Sequence, residues 1–269
     1  MASPFLKWAG GKRWLADSRR LPIPVTYNRY IEPFLGGGAV FFHLKPSDAI
    51  LSDINEELIE LYRVMRDEPN KLFEELERHQ ASHSKDHYYS VREIIPDQSV
   101  AKAARTLYLN RTCWNGLYRV NLRGDFNVPI GTKDTVIFEG EDFSVFSKAL
   151  QNTEILVTDF ESSVNKAEEG DFLFIDPPYT VKHNFNGFLK YNERIFSWAD
   201  QIRLRDSLSR AIQRGAAVVV TNADHASVRE LYEGLCDYQQ LDRFSVLSGK
   251  SLHRGKTTEA LFVANLGLR

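Results

Sequence analysis

The run Asp176-Pro177-Pro178-Tyr179 carries the most chemistry in the chain. It follows the apolar stretch Phe172 to Ile175 directly, so an acid, two prolines and an aromatic sit where a short strand should end. The prolines stiffen the chain and bias the residue before each toward extended geometry, which presents the Asp176 carboxylate and the Pro177 carbonyl together. Two acceptors on a stiff support suit an NH2 group, and Tyr179 adds a flat face for a planar base. An ordinary proline turn is the alternative; it fits most Asp-Pro pairs but explains this four-residue run poorly. A second constellation is Gly36-Gly37-Gly38, with Asp53 seventeen residues after Gly36. Such a turn lets a small ligand approach the backbone, and the acid can accept from ribose hydroxyls. Position 41 is Phe where a dinucleotide fingerprint needs its third glycine, which disfavours a pyrophosphate cofactor. A purely structural turn is equally open. The third, Lys7-Trp8-Ala9-Gly10-Gly11-Lys12, has phosphate-cradle composition, but it lacks Walker spacing and a preceding strand and is uninterpretable alone.

Elements that would position these residues follow from the apolar pattern. Tyr30 to Phe34, then the glycines, then Ala39-Val40-Phe41-Phe42, predict strand, tight turn and helix. A strand over Ala49 to Asp53 follows, then a helix capped by Asn55, with Glu56 and Glu57 in its first turn and Leu58, Leu61, Tyr62 and Met65 on its buried face. From residue 56 to about 110 the spacing predicts consecutive amphipathic helices, the last using Val100, Ala103, Ala104, Leu107 and Tyr108. Residues 111–132 are rich in Asn and Gly, with alternation on either side of Leu122-Arg123-Gly124-Asp125, and predict a hairpin or ordered loop. Strands are then expected over Glu154 to Thr158, Asp171 to Ile175, Ala216 to Val220, Gln240 to Leu247 and Glu259 to Ala264, with a helix opened by Ser197 and Asp200 and stopped by Gly215. The alternation is that of an α/β protein: a Rossmann-like sheet with helices on both faces, formed by residues 1–55 and 137–269, with residues 56–136 as an inserted, mainly helical lobe carrying the hairpin.

The chain has 269 residues, 34 Lys+Arg against 36 Asp+Glu, and two cysteines. A formal charge of −2 is unexpected for a protein that grips a polyanion, but its distribution is uneven. Residues 102–133 hold Lys102, Arg105, Arg111, Arg119, Arg123 and Lys133 against Asp125 alone, interleaved with Trp114, Tyr118 and Phe126. Such a stretch can neutralise phosphates while its rings stack on bases, or it can be a solvated charged face. Cys113 and Cys236 have neither CxxC spacing nor a nearby His pair, so neither a zinc site nor a disulfide framework is expected. No apolar run has membrane-spanning length and the first residues carry no signal-peptide pattern, so the expected compartment is the reducing cytosol.

Taken together, the three constellations resemble the N6-adenine DNA methyltransferases that use S-adenosylmethionine. The stretch Asn110-Arg111-x-Cys113-x-Asn115-Gly116-Leu117-x-Arg119-x-Asn121-x-x-Gly124-x-Phe126-Asn127-Val128-Pro129-x-Gly131 is similar to the DNA-reading hairpin of the Dam type. The resemblance spans nearly the whole chain in the same order. It implies methyl transfer to adenine N6 in duplex DNA at GATC, with the base flipped out and no covalent enzyme intermediate. Asp176, Pro177, Pro178 and Tyr179 would be catalytic, and Asp176 would also border the cofactor. Trp8, Lys12, Phe34, Gly36, Gly38 and Asp53 would hold the methionine and ribose parts, and Asp159 with Phe160 the adenine. For Phe34 and Phe160 a core-ring role is the alternative, and for Asp159 a helix cap. Lys7, Trp114, Asn115, Leu117, Arg119, Asn121 and Pro129 would meet the DNA bases, while Arg111 and Arg123 would touch phosphates or stay solvated. Thr132 and Lys133 stand where a Dam-type enzyme continues with Arg and an aromatic, a departure that bears on flanking backbone contacts and processivity. The implied partner is double-stranded DNA, with no metal and no membrane, and the implied state a monomer of bacterial or phage origin. Rival readings are a methyltransferase for RNA adenine or a glutamine amide, and a DNA-binding module without catalysis. An Asn in place of Asp176 would mark the glutamine enzymes, and the intact acid counts against the non-catalytic module.

Overall fold

The computed structural model describes residues 4–18, 20–121, 125–182, 196–244 and 256–267. In chain order its elements are α1 (Arg13–Ala16), β1 (Tyr30–Glu32), α2 (Ala39–Leu44), β2 (Ala49–Asp53), α3 (Glu56–Asp67), α4 (Pro69–Ser82), α5 (Lys85–Glu93), α6 (Ser99–Thr112), α7 (Phe143–Leu150), β3 (Thr153–Val157), α8 (Phe160–Val164), β4 (Phe172–Ile175), α9 (Trp198–Gln213), β5 (Ala217–Ala223), α10 (Ala226–Tyr232), β6 (Asp237–Phe244) and β7 (Lys256–Ala264). The strands form one seven-stranded sheet in the order β3-β2-β1-β4-β5-β7-β6. β4 pairs in parallel with β1 and β5, and β7 runs antiparallel to both β5 and β6. All four residues of β4 are buried, as a parallel strand covered on both faces must be. The expected strand from Gln240 to Leu247 starts earlier, at Asp237; residues 245–247 lie outside the described residues.

The chain divides into two compact units: Met1–Arg20, Leu35–Ser47 and Leu51–Val157 in the first, and Leu21–Phe34, Asp48–Ile50 and Thr158–Arg269 in the second. In the first unit the Asn55 side chain accepts from the Leu58 amide at 3.0 Å and starts α3 where the sequence placed it. Phe5 meets Phe42, Tyr62 and Phe146 edge to face, with centroids 5.1–5.8 Å away. Arg63 and Arg66 on α3 donate to the carbonyls of Ile155 and Thr153 on β3. α6 packs against α3, α4 and α5, so it is buried on every side from Ala103 to Thr112 rather than along one stripe. In the second unit the expected capping box is present: Ser197 Oγ accepts from the Asp200 amide at 3.2 Å, and Asp200 accepts from the Ser197 amide at 2.8 Å.

Among α4, α5 and α6 lies a histidine cluster. His79 Nδ1 and His87 Nε2 are 3.0 Å apart, and the His79 ring stacks on Tyr108 at 4.7 Å. The Tyr108 hydroxyl in turn meets His83 Nδ1 at 2.9 Å. Burial first, and the facing His87 second, bring His79 down to about 4. An unfolded histidine takes up its proton near pH 6.5. Between that pH and about 4 the unfolded chain therefore binds a proton that the folded chain refuses, and stability falls as the solution is acidified. Thermal melts at pH 7 and pH 5 should show a loss of order 1 kcal/mol from this partly exposed group. His79→Gln should flatten that slope; an equal slope in the variant would remove the cluster as its source.

Candidate functional site

The predicted site residues fall into two groups, one in each unit. In the first unit the glycine turn is built on backbone angles that side chains disfavour: Gly36 has φ +47 and Gly38 φ +61. A Cβ on Gly36 would lie 2.7 Å from Trp8 Cδ1, and one on Gly38 would lie 2.8 Å from the Tyr62 hydroxyl. That hydroxyl donates to the Gly36 carbonyl at 3.1 Å. Asp53 accepts from the Gly36 amide at 3.1 Å through Oδ2 and from the Asn55 amide at 3.0 Å through Oδ1. Burial pushes the Asp53 carboxyl up, while the amides of Asn55, Gly36 and Ile54 pull it back down. Each carboxylate oxygen has a second lone-pair direction, so these bonds orient the acid and leave it acceptor capacity for a ligand hydroxyl. The Trp8 indole rests on the turn, and the Lys12 ammonium folds back onto the Gly10 carbonyl at 2.8 Å. Phe41, where a third glycine would have served a pyrophosphate, is buried.

The same unit carries the Asn- and Gly-rich segment. Its two arms pair antiparallel through Cys113 with Ile130 and Val120 with Phe126, matching the expected alternation. Gly131 lies so close to the end of α6 that a Cβ there would sit 2.6 Å from the Cys113 carbonyl oxygen. Asn115 (φ 59, ψ 10) and Gly116 (φ 64) are consecutive left-handed residues, and the sharp turn they make leaves Trp114 53% exposed, with Asn115 exposed beside it. Lys7 is tied to this segment by reciprocal bonds: its amide donates to Asn110 Oδ1 at 2.9 Å, and Asn110 Nδ2 donates to its carbonyl at 2.7 Å. The neighbouring Lys133 ammonium, then burial, lowers the Lys7 pKa. Arg119 is exposed, and its Nε donates to Asn127 Oδ1 at 2.9 Å, one of the five N–H donors of a guanidinium. Pro129 is exposed and Leu117 half-buried. Asn121 bonds Asp125 through backbone and side chain, so its amide is already engaged.

Several basic and aromatic residues of this stretch prove to be internal. Arg111, expected at a phosphate or in solvent, is buried; its guanidinium forks onto Glu141 at 2.7 and 2.5 Å and donates to the Val136 and Phe5 carbonyls. Arg105 is likewise buried, on the Val91 and Arg92 carbonyls and Glu57. Of the rings expected to stack on bases, Phe126 is buried, and Tyr118 stacks on Trp8 at 4.9 Å. Charge spacing along a chain does not reveal that a helix will be covered all round, which explains these misplacements. Arg123 lies outside the described residues. Two anchors were not anticipated: Tyr88 donates to the Val128 carbonyl at 3.0 Å, and Gln80 accepts from the Val136 amide at 2.6 Å and donates to the Asp134 carbonyl. Helical spacing could mark Tyr88 only as a core ring.

In the second unit, Asp176 follows β4 and stands beside Thr221 on the parallel neighbour β5, because Ile175 is in register with Val220. Thr221 Oγ1 donates to Asp176 Oδ1 at 2.7 Å. The Tyr179 hydroxyl donates at 2.8 Å to Glu259 on β7, a glutamate 4% exposed. Burial, then the nearby Asp176 and Glu259 charges, raises the Tyr179 pKa far above its ordinary range, so this phenol stays a neutral donor. Beneath the run, Asn222 donates to Gln201 at 3.1 Å and Gln201 donates to the Thr180 carbonyl at 3.3 Å, all buried. Thr221, Asn222, Gln201 and Glu259 were invisible in sequence, since single polar residues within apolar strands and helices have no pattern. Phe34 stacks on Phe160 at 5.4 Å, and Phe196 meets both rings at an edge. Asp159 caps α8 through the Glu161 amide at 2.9 Å and pairs with Arg203 at 2.7 Å, so the helix-cap alternative describes its place in the fold.

A seven-stranded mixed sheet with a glycine turn after β1 and an acid-Pro-Pro-aromatic run after β4 defines a Rossmann-like methyltransferase. Residues 8–252 match the family described as D12 class N6 adenine-specific DNA methyltransferase, and the chain belongs to that family. It is similar to the type II methyltransferase M1.LlaDCHI of Lactococcus lactis subsp. cremoris, 39% identical over 98% of this chain and 95% of the relative. It is also similar to the DNA adenine methylase of Serratia marcescens, 33% identical over 96% of each. A DNA N-6-adenine-methyltransferase of Escherichia phage P1 is 38% identical over 84% of this chain, which spans 30% of that protein. The chain is thus an N6-adenine DNA methyltransferase. Among the described residues no helix is long and apolar enough to cross a membrane.

The buried Arg111 and the exposed Arg119 should respond differently to truncation. Arg111→Ala leaves Glu141 buried without its partner and should cost about 3–5 kcal/mol in denaturant unfolding. Arg119→Ala should stay within about 0.5 kcal/mol of the parent. Equal losses would mean that the two side chains do not differ in role.

Proposed function

We propose that the chain methylates adenine N6 within GATC in duplex DNA, uses S-adenosylmethionine, and takes the target base out of the helix. The observation that carries this reading is the Asp176-Pro177-Pro178-Tyr179 run held rigid from behind, by Thr221 on its acid and Glu259 on its phenol. Support for the donor comes from Asp53, which is oriented beside the glycine turn with acceptor capacity for ribose hydroxyls. Trp8, Lys12, Phe34, Gly36, Gly38 and Asp53 would hold it, with Phe160 and Asp159 toward its adenine. When bound, it supplies an electrophilic sulfonium methyl.

The exocyclic amine of adenine is a weak nucleophile because its lone pair is delocalised into the ring. Hydrogen bonds from N6 to the Asp176 carboxylate and the Pro177 carbonyl oppose that delocalisation, and the tyrosine ring of position 179 supports the base. Fixing N6 in line with the methyl is a positioning effect that can supply about 7–11 kcal/mol. Extruding the base costs a few kcal/mol, which insertion of the exposed Trp114 into the stack offsets. Lys7, Asn115, Leu117, Arg119, Asn121 and Pro129 read the site, with Arg119 forking onto a guanine and contributing about 1–3 kcal/mol of discrimination. Residues 56–136 act as the target-recognition region. The protein works as a cytoplasmic monomer that modifies one strand of the palindrome at a time.

Incubation with labelled donor and plasmid, followed by methylation-sensitive nucleases, should show protection at GATC and none at scrambled sites. Asp176→Ala should abolish transfer and leave DNA affinity unchanged. Transfer to RNA or protein alone, or an undiminished rate in the variant, would refute the proposal.

A further inference from the structure

We propose that Tyr118 is a positioning residue that transmits engagement of DNA by the recognition segment to the donor cradle, through its stack on Trp8 and its bond to Glu57. Tyr118 lies between two expected base-reading residues, Leu117 and Arg119, yet its own side chain turns inward. Its ring packs on the Trp8 indole at 4.9 Å with the planes 22° apart. The same indole lies against the glycine turn, where Trp8 Cδ1 lies 2.7 Å from the position a Gly36 Cβ would take and Trp8 Cβ lies 3.4 Å from that of Gly37. No side chain intervenes at those separations, so the indole cannot shift without moving the turn or opening a gap.

The far end of the ring is pinned as well. The Tyr118 hydroxyl donates to Glu57 Oε2 at 3.1 Å, and Glu57 also receives Arg105 at 3.4 Å. Glu57 stands in the first turn of α3, the helix whose cap, Asn55, bonds through its amide to Asp53. One aromatic therefore touches both supports of the cradle, the indole under the glycines and the helix start behind the acid. A stack alone could slide; the hydroxyl bond fixes its tip, so displacement of residues 117–119 by a bound duplex is passed on as a displacement of Trp8. By linkage, whatever DNA does to donor affinity through this contact the donor must do to DNA affinity by the same factor.

This inference rests on the reading that Trp8, Gly36 and Asp53 hold the donor, and the test separates the two. Affinity for S-adenosylhomocysteine is measured by calorimetry with and without a GATC duplex, in the parent, Trp8→Ala, Tyr118→Phe and Tyr118→Leu. The parent should bind more tightly with DNA by about 5–150-fold. Tyr118→Leu should bring that ratio to within about 2-fold of unity, and Tyr118→Phe, which keeps the stack and loses only the hydroxyl, should retain an intermediate ratio. A general loss of structure would weaken both affinities and leave no such ordering. Unchanged binding in Trp8→Ala would overturn the donor reading. With that reading intact, a parental ratio of one, or a parental ratio in Tyr118→Leu, overturns the role of Tyr118. If Tyr118→Leu does not fold, an unchanged ratio in Tyr118→Phe overturns it.

Discussion

The Asp53 carboxylate is the constraint on which the first unit's site depends. One of its oxygens receives the Gly36 amide and the other the Asn55 amide, so a single acid ties the glycine turn after β1 to the start of α3. The turn needs that tie because Gly36 and Gly38 both have positive φ, a conformation in which a short chain has many alternatives. The Tyr62 hydroxyl on the Gly36 carbonyl and the indole of Trp8 over the glycines remove the remaining freedom. A site built this way is organised before any ligand arrives, which lowers the ordering cost of binding.

The second unit solves the same problem with buried polar groups. Asp176 and Tyr179 follow a fully buried strand, and each is held by a residue of a neighbouring strand, Thr221 or Glu259. Asn222, Gln201 and the Thr180 carbonyl continue the network inward. A polar group left unpaired at such depth costs about 1–3 kcal/mol, so a satisfied network selects one geometry strongly. The strongly raised Tyr179 pKa rules out the phenol as a proton acceptor near neutrality, so its part in the network is that of a fixed donor to Glu259.

A near-neutral net charge is reconciled with a nucleic-acid partner by sorting the basic residues according to depth. Arg105 and Arg111 serve as internal ties, their donors spent on carbonyls and on Glu57 or Glu141. Arg119, Lys133 and Lys7 stay at the surface of the first unit. The exposed Trp114 is presented by two left-handed residues in succession, a backbone conformation that Asn115 adopts at some cost. Strain of this kind is tolerated because Asn110, Gly131 and Tyr88 anchor the chain on either side.

Local pattern alone determined the alternation of strands and helices, the Asn55 and Ser197 caps, the antiparallel arms of the hairpin and the two motifs that mark the family. Each is a property of a few adjacent residues: a period, a capping side chain, a glycine where φ is positive. The structure decided which charges and rings face outward. Arg111 and Tyr118 belong to the same hairpin pattern as Arg119 and Trp114, yet Arg111 is buried and Tyr118 is half-buried against Trp8 while the others are exposed. Packing of α6 by three other helices buried Arg111, as it buried the helix on every side from Ala103 to Thr112 where its own spacing implied one stripe. The partners of Asp176 and Tyr179 were likewise set by strand register, Thr221 being 45 residues from one and Glu259 80 from the other. Such pairings depend on how separate segments meet, and no short-range rule of composition or spacing contains that information.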